Sequence, residues 1–321
     1  MIAISVFIVT YNSAPLLRSC LDSLRAQTLS DFEIIVVDND SRDGTAEIVR
    51  TEYPEIRLFA NTSNLGFGHA NNLALTVAKG SYVVLLNPDA VIPSDTLQRA
   101  YKHMEKNLEV GMGGGLLQGP HGEWQPSARQ FPSLLNEALV LSGLADRFPK
   151  SRFFGRFDRS WADPQQETVV DWVPGAFAIV RRSLLTEIRL FDARFFLYYE
   201  EVDLCRRIYE AGFQVYYWPD MVITHIGGAS SETMDEMAFS SSGKQLTLWR
   251  MRSQLLYYRK WHGLLYSRLV KGLEQTWHKL RAWRNAKRAP DKAAESRHIV
   301  QLWDQAWQET EGGLVSPTQP W

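Results

Sequence analysis

Two polar residues, Asn87 and Asp89, directly follow the apolar run Tyr82–Leu86. The run predicts a strand buried on both faces of a parallel sheet, which Pro88 ends because it has no backbone N–H donor. Open α/β sheets bind ligands just beyond the carboxyl ends of their strands. A carboxylate there can hold a hard divalent cation together with the oxygens of a diphosphate. The alternative interpretation is a polar turn after a core strand.

Two further predicted strands also end in polar residues. Thr10, Tyr11 and Asn12 end the first strand, and Asp38 and Asp40 end the second. Carboxyl ends of parallel strands meet at one edge, so these side chains are expected near the first polar pair. Asp38 could accept a hydrogen bond from a pyrimidine base, and Asp40 could bind ribose or a metal. Capping of the following helices is the alternative.

A glycine-containing stretch from Asn64 through Gly66 to Gly68 precedes the third predicted helix. Glycine lets the backbone approach a ligand closely, and a helix amino terminus favours phosphate. The stretch lacks the Gly-Lys-Ser/Thr of a P-loop and the spacing of a dinucleotide fingerprint. By itself it is weak evidence for a nucleotide site.

Two adjacent acids, Glu200 and Glu201, begin a predicted helix after the aromatic run Phe195–Tyr199. Helical spacing places Glu201 in line with Cys205 and Ile208, on the side expected to face inward. A carboxylate beside an aromatic wall should have a raised pKa, which suits a general base. The alternative is a first turn favoured by the helix dipole.

Two segments could complete such a site. The predicted strand from Val169 to Val180 is broken at Pro174–Gly175, and Trp172 on it could stack on a sugar ring, although core packing is commoner. His225 ends another strand, where a histidine is either structural or a metal ligand.

The chain alternates strand-like and helix-like segments over its first 120 residues, which predicts a doubly wound, mostly parallel sheet flanked by helices. The predicted strands are Ile2–Val9, Glu33–Asp38, Ile56–Ala60, Tyr82–Leu86 and Val110–Leu117, and the helices Ala14–Ala26, Thr45–Glu52, Gly68–Ala78 and Ser94–Lys106. Residues 118–168 contain five prolines and show no regular pattern.

Composition is that of a soluble globular protein, with 321 residues, 45% hydrophobic and 22% charged. Two cysteines provide no disulfide framework, and the chain begins with a strand-like run rather than a signal peptide. No stretch approaches the ~18 apolar residues of a membrane span. The expectation is a cytoplasmic protein.

The carboxyl-terminal part is basic, although the net charge of the whole chain is −1. A stripe of large apolar residues recurs every three or four positions within 259–284: Trp261, Leu265, Leu269, Leu273, Trp277 and Leu280. A basic helix with this stripe predicts binding to an anionic membrane surface. The alternative is a helix packed on the body of the protein. Nucleic-acid binding ranks low because no known motif accompanies the charge.

Together these segments resemble the inverting family 2 glycosyltransferases of the GT-A fold, over roughly residues 2–230. The rhamnosyltransferase-like branch, which builds bacterial cell-surface glycans, is the most similar. The resemblance rests on the order and spacing of Val9–Asn12, Val37–Ser41, Asn64–Phe67, Leu86–Ala90, Val173–Ala176, Tyr198–Cys205 and His225. It implies a GT-A domain over 1–240, divided at 117/118 into nucleotide-binding and acceptor halves. Residues 241–321 would form a basic amphipathic helical extension whose last ten or so are flexible.

The resemblance also implies roles for individual residues. Asn87 and Asp89 occupy the place of the family's Asp-x-Asp motif, so Asp89 would be the main ligand of Mg²⁺ or Mn²⁺, with His225. Glu201 stands where the family usually has an Asp base, which leaves Glu200 as a second candidate. The nucleotide sugar would be bound by Thr10, Tyr11, Asn12, Asp38, Asp40, Asn64, Gly66, Asn87 and Asp89, and the acceptor by Trp172, Gly175, Ala176 and Tyr199.

The function expected from the resemblance is inverting transfer of L-rhamnose from dTDP-L-rhamnose to a lipid-linked or growing glycan. The acceptor carrier would be a polyprenyl diphosphate, and the protein would lie peripherally on the inner face of the membrane. A UDP-dependent transferase of galactofuranose or an N-acetylhexosamine is the alternative enzyme. A catalytically silent glycan-binding scaffold is the alternative outside enzymes.

Overall fold

The computed structural model describes residues 2–226 and 241–317, which contain one sheet of ten strands. The sheet order is β3-β2-β1-β4-β9-β6-β10-β5, with β7 beside β6 and β8 beside β10. The strands are β1 Ile4–Thr10, β2 Phe32–Asp38, β3 Arg57–Ala60, β4 Tyr82–Leu86, β5 Ala90–Val91, β6 Val110–Gln118, β7 Trp124–Gln125, β8 Thr168–Val170, β9 Phe177–Arg181 and β10 Gln214–His225.

Helices cover both faces of this sheet. They are α1 Ala14–Arg25, α2 Thr45–Glu52, α3 Phe67–Leu75, α4 Thr96–Lys106, α5 Leu134–Leu141, α6 Leu144–Arg147, α7 Arg182–Ile188, α8 Glu200–Glu210, α9 Ser241–Asn285 and α10 Pro290–Glu309. Buried side chains form two hydrophobic clusters.

Strand direction explains where the polar strand ends meet. Strands β1 to β4 run parallel to one another and to β6 and β10, and only β9 and the short strands β5, β7 and β8 run against them. All residues of β1 and β4 are buried, as a strand covered on both faces requires. The predicted α/β fold with a mostly parallel sheet is confirmed.

The antiparallel strand β9 lies between β4 and β6. Because it runs against its neighbours, its first residues lie at the carboxyl edge of the sheet, where Leu86 pairs with Phe177. The break predicted at Pro174–Gly175 is wider than expected. It runs from the end of β8 at Val170 to the start of β9 at Phe177.

The basic carboxyl-terminal helix is not one uninterrupted amphipathic helix. Gly263 interrupts α9 with φ 81° and ψ 177°. The predicted stripe is divided: Trp261, Leu273 and Trp277 are half-buried, whereas Leu265, Leu269 and Leu280 are exposed. The sequence interpretation of a single face is corrected here, because it assumed unbroken helical periodicity.

The first half of α9 packs on the sheet domain, since Leu255, Leu256, Tyr257 and Tyr258 belong to one of the hydrophobic clusters. The expected flexible end is also corrected in part. Gly312 and Gly313 are buried, and Ser267 Oγ donates a hydrogen bond to the Gly312 carbonyl at 3.1 Å. Among residues 2–226 and 241–317, no helix has the length and hydropathy needed to cross a bilayer.

Candidate active site

A cavity of about 520 Å³ opens at the carboxyl edge of the sheet. This size is within the ~300–1,000 Å³ typical of small-molecule sites. Six of the residues expected to bind the nucleotide sugar line it: Tyr11, Asn12, Asn64, Gly66, Asn87 and Asp89. The strand ends therefore converge on one cavity, as the parallel sheet required.

Thr10, Asp38 and Asp40 are not among the described residues that line this cavity. Asp38 is buried, and its Oδ1 accepts hydrogen bonds from Thr10 Oγ1 at 2.8 Å and from Ser41 Oγ at 2.6 Å. Asp40 lies at a backbone φ of 65° and faces Arg42 at 3.9 Å. These contacts fix the ends of β1 and β2, and a role for the three residues in base or ribose binding stays a prediction.

The polar group at the end of β4 meets the end of β10. His225 Nε2 lies 3.4 Å from Asp89 Oδ1 and 3.4 Å from Asn87 Nδ2. The other ring nitrogen, Nδ1, is 2.8 Å from Gln125 Oε1, and Gln125 Nε2 donates to the His225 carbonyl at 3.0 Å. Gln125 thus fixes the orientation of the imidazole, as partners of metal-bound histidines do.

This group fits a divalent cation that is shared with a substrate. Within the described part of the chain, no three His, Cys, Asp or Glu side chains gather in a complete metal site. Mg²⁺ is commonly held by only one or two carboxylates together with substrate phosphates, and Mn²⁺ accepts imidazole and carboxylate. Asp89 and His225 are therefore a sufficient protein contribution.

Gly66 is required by close packing within the protein. Its φ is 81°, and a Cβ at this position would lie 2.5 Å from the ring and the carbonyl oxygen of Phe196. The Phe67 N–H donates to that carbonyl at 2.8 Å. The glycine therefore brings the amino terminus of α3 against the aromatic run that precedes the two acids.

Glu200 and Glu201 begin α8 after a strained turn. Tyr198 and Tyr199 both have positive φ, 69° and 68°, which is uncommon for residues with large side chains. Such strain persists where the surrounding packing over-determines it, often at functional sites. The Oε2 atoms of both glutamates are buried and have no hydrogen-bond partner among the residues described.

The pKa values of the two carboxyl groups are affected differently by their surroundings. Burial raises the pKa of Glu200 well above its ordinary value, and the negative charge of Glu201 raises it further. Burial also raises the pKa of Glu201, but its backbone hydrogen bonds and the positive charge of Arg129 oppose that shift. Glu201 is therefore the better candidate for the anionic base, and Glu200 for the group that keeps its proton.

Of the residues expected to bind the acceptor, Gly175 and Ala176 contact residues of the cavity, whereas Tyr199 packs against a residue of α9. Gly175 lies near the ring of Phe67, and the Ala176 carbonyl accepts from the Asn87 N–H at 3.1 Å. The Tyr199 ring packs 5.5 Å from that of Tyr257. These contacts place Gly175 and Ala176 at the cavity edge.

Trp172 is only 5% exposed, and its indole N–H donates to the Gln130 carbonyl at 2.7 Å. The Arg129 guanidinium lies 4.6 Å from the ring centroid. Since this ring is buried and one face is covered by Arg129, the packing does not support its predicted stacking on a sugar.

Sequence reasoning missed several residues of the site. Asn39 and Phe67 line the cavity, and both stand in motifs from which only neighbouring residues were predicted to bind the donor; Phe196, from the predicted aromatic run, lines it too. Gln125 and Arg129 lie in the irregular stretch 118–168, which gave no pattern from which their positions could be inferred.

Comparison with known proteins places the chain in one family. The family model described as Glycosyl transferase family 2 matches residues 5–189. N-acetylglucosaminyl-diphospho-decaprenol L-rhamnosyltransferase of Mycobacterium tuberculosis is 30% identical over 233 residues, which are 68% of this chain and 75% of that protein. Rhamnosyltransferase WbbL of Escherichia coli K12 is 26% identical over 262 residues, which are 78% of this chain and 91% of that protein.

Solved structures show the same fold at low identity. A mannosyltransferase from Pyrobaculum calidifontis, in complex with GDP-Man and Mn²⁺, matches with a TM-score of 0.56 and 18% identity, covering 95% of this chain and 87% of its own. S. aureus TarS 1–349 in complex with UDP matches with a TM-score of 0.50 and 17% identity, covering 97% of this chain and 92% of its own. The predicted GT-A fold is thereby confirmed.

Proposed function

The chain belongs to glycosyl transferase family 2, and we propose that it transfers L-rhamnose from dTDP-L-rhamnose, with inversion, to a hydroxyl of a lipid-linked glycan. The observation that carries the proposal is the buried glutamate pair in a chain whose nucleotide-sized cavity is lined by Asp89, beside which His225 lies at 3.4 Å. The names of the relatives support the sugar and the carrier, because one acts on a diphospho-decaprenol acceptor and both are rhamnosyltransferases.

Donor binding uses the cavity at the sheet edge. Asp89 and His225 would hold Mg²⁺ or Mn²⁺ together with the donor diphosphate, and when bound the ion neutralises negative charge on the leaving nucleoside diphosphate. Asn87 and Asn12 offer amide groups to the donor, and the aromatic side chains of Tyr11 and Phe196 bound the same space.

Glu201 removes the proton from the attacking hydroxyl. The Arg129 charge opposes the rise in the pKa of Glu201, whereas burial and the charge of its neighbour raise the pKa of Glu200. The acceptor oxygen attacks the anomeric carbon on the face opposite the departing diphosphate. One displacement of this kind inverts the configuration, and no covalent sugar–enzyme bond forms.

The test of this assignment compares three single substitutions in α8. Glu201→Gln should reduce the transfer rate by about 10²–10⁴-fold, the usual contribution of a general base, and leave donor binding within about twofold. Glu210→Gln, at an exposed position of the same helix, is the matched control and should keep full activity. Glu200→Gln should retain more activity than Glu201→Gln, because a neutral group already stands there.

Measured transfer with a donor panel decides between the candidate enzymes. dTDP-L-rhamnose should be the best donor, and preference for UDP-galactofuranose or a UDP-N-acetylhexosamine would replace rhamnose in the proposal. Unchanged turnover in Glu201→Gln would remove this residue as the base. Donor and glycan binding without turnover in the intact protein would favour the catalytically silent scaffold.

The exposed side of α9 supports attachment to an anionic membrane surface. Leu265, Leu269, Leu280 and Trp283 are all exposed, Leu265 by 71% and Trp283 by 80%. At about 100° per residue they lie within about 60° of one another on the helix. The exposed bases Arg268, Lys279 and Arg284 border them. Apolar side chains flanked by cations match the boundary between acyl chains and anionic headgroups. We propose that this side holds the protein on the inner face of the cell membrane.

Flotation with liposomes that contain anionic phospholipid tests this attachment. Leu280→Gln combined with Trp283→Gln should reduce the floated fraction severalfold. Leu108→Gln removes a leucine elsewhere that is 70% exposed, between Leu280 and Trp283 in this respect, and serves as the control. Equal flotation of both variants and the intact protein would contradict the proposed surface.

A further inference from the structure

A second cavity, of about 390 Å³, lies on the acceptor side, apart from the one that holds the donor. Its wall is built from β7, β8, β10 and the loop 150–166, and it includes Trp124, Thr168 and Tyr217. Tyr217 pairs with Gly114 of β6, and Trp124 pairs with Gln118 of the same strand. Gly114 and Gln118 are four residues apart, so the cavity extends about 13 Å along β6.

The lining of this cavity is rich in cations that lack a carboxylate partner among the described residues. Lys150, Arg152 and Arg159 all line it, and none forms an ion pair with another described residue. Of its two acids, Asp158 is already paired with Arg129, and Asp163 accepts a hydrogen bond from the Gln165 N–H. A site with three bases whose charges no described carboxylate neutralises is suited to an anionic group.

Two buried donors in the lining are unsatisfied. Arg159 Nε and Trp161 Nε1 are buried, and neither has a hydrogen-bond partner within the part of the chain that the structure describes. Arg159 also has φ 52°, a strained value for a residue with a side chain. The Arg152 guanidinium lies 4.8 Å from the Trp161 ring centroid. Buried polar groups normally have partners, so these donors indicate an acceptor supplied by a ligand.

The cavity adjoins the reacting groups on two sides. Trp124 lines it, and the next residue, Gln125, is bonded to His225. On the other side Asp158 lines it and pairs with Arg129, the cation that acts on Glu201. The cavity is therefore connected to the candidate metal ligands through Gln125 and to the candidate base through Arg129.

We propose that this cavity binds the diphosphate of the lipid-linked acceptor, an inference that rests on the proposed function. Arg guanidinium groups and Lys ammonium groups are the side chains that recognise phosphate oxygens. The sugar attached to that diphosphate would extend toward Glu201, and the exposed ring of Trp124 offers a face along which it packs. The cavity thus selects an acceptor by its diphosphate.

The first experiment measures binding of inorganic pyrophosphate by calorimetry, with chelator present so that no divalent cation joins it to Asp89. Arg152→Gln and Arg159→Gln should each weaken binding at least tenfold. Arg152 is exposed, so its replacement leaves the fold intact. Arg147→Gln is the matched control, because this exposed base at the end of α6 lies close to the loop in sequence but does not line the cavity. Equal affinity in all four proteins would overturn the anion site.

The second experiment compares two acceptors, farnesyl-diphospho-N-acetylglucosamine and octyl N-acetylglucosaminide. With the first, Arg159→Gln should raise the acceptor KM at least tenfold and leave kcat and the donor KM unchanged. With the second, which has no diphosphate, the variant should match the intact protein. An unchanged KM for the diphosphate acceptor, despite weakened pyrophosphate binding, would indicate a site for free phosphate and overturn the assignment to the acceptor. Failure of the intact protein to glycosylate either acceptor would count against the proposed function, and the pyrophosphate result would still decide the anion site.

Discussion

Asp203 connects the helix that carries the glutamate pair to the carboxyl-terminal helices. Its side chain is fully buried, and Oδ2 accepts from Arg207 Nε at 2.8 Å. Oδ1 accepts from Lys260 Nζ at 2.6 Å and from the Trp261 indole N–H at 2.9 Å. Replacing this residue by Asn keeps the size of the side chain and removes its charge, so Asp203→Asn tests the ion network alone.

The expected loss is about 2.5–4 kcal/mol in the free energy of unfolding. The amide NH₂ of Asn would face the Arg207 donor, and this charge-assisted hydrogen bond, worth ~1.5–3 kcal/mol, is lost. The bonds from Lys260 and Trp261 persist on the remaining oxygen but weaken to neutral ones, costing about 1 kcal/mol more. Asp192 keeps Lys260 paired at 2.8 Å, which holds the total at the low end of the ~3–5 kcal/mol typical of a broken buried pair.

Urea unfolding followed by fluorescence measures this value. Asp220→Asn is the matched control, because Asp220 also faces two basic side chains, His103 at 2.9 Å and Arg99 at 3.5 Å, but is 41% exposed. Exposed pairs contribute ~0–1 kcal/mol, so the control should change little. A loss below about 1 kcal/mol in Asp203→Asn would refute the argument that this network fixes α8 to α9.

Three further substitutions test the site. Gly66→Ala should destabilise the protein by about 1–3 kcal/mol and weaken donor binding, because the new methyl group would displace Phe196; an unchanged melting temperature would contradict this. Arg129→Gln removes the cation that lowers the pKa of Glu201, so the acidic limb of the pH–rate profile, where the base becomes protonated, should move up by about one pH unit; an unmoved or lowered limb would count against Glu201 as the base. Gln125→Ala frees the imidazole at the end of β10, so the Mn²⁺ concentration for half-maximal activity should rise about 10–100-fold, with an unaltered requirement as the contrary result.

The sequence predicted the sheet edge well because the evidence there is local. Five consecutive apolar residues identified β4, and parallel strands must bring their carboxyl ends together. Asn87 and Asp89 lie at that edge as expected, His225 lies beside them, and their roles stay predictions. The same reasoning located Glu201 on α8, since helical spacing alone relates it to the buried Cys205.

Other positions depend on contacts that no local pattern reports. Gln125 reaches His225 only because β7 pairs with the end of β6, and Arg129 reaches its place through a bridge to Trp172. Both pairings join parts of an irregular region to distant segments. The apolar stripe of α9 was read as one face because a single glycine, Gly263, gives no sign in the sequence of whether it interrupts a helix.

The position of β9 has a consequence for the order in which the molecule forms. Strand β4 pairs with β9, which lies nearly one hundred residues later in the chain, and the site is complete only when His225 reaches Asp89. Contacts between distant residues form slowly, because a long loop must be closed before they contribute stability. During synthesis the first four strands can pair before the rest emerges, whereas the catalytic edge must wait for the end of β10. We therefore expect β1 to β4 to pair first and the later strands to add to them, so that the site forms last.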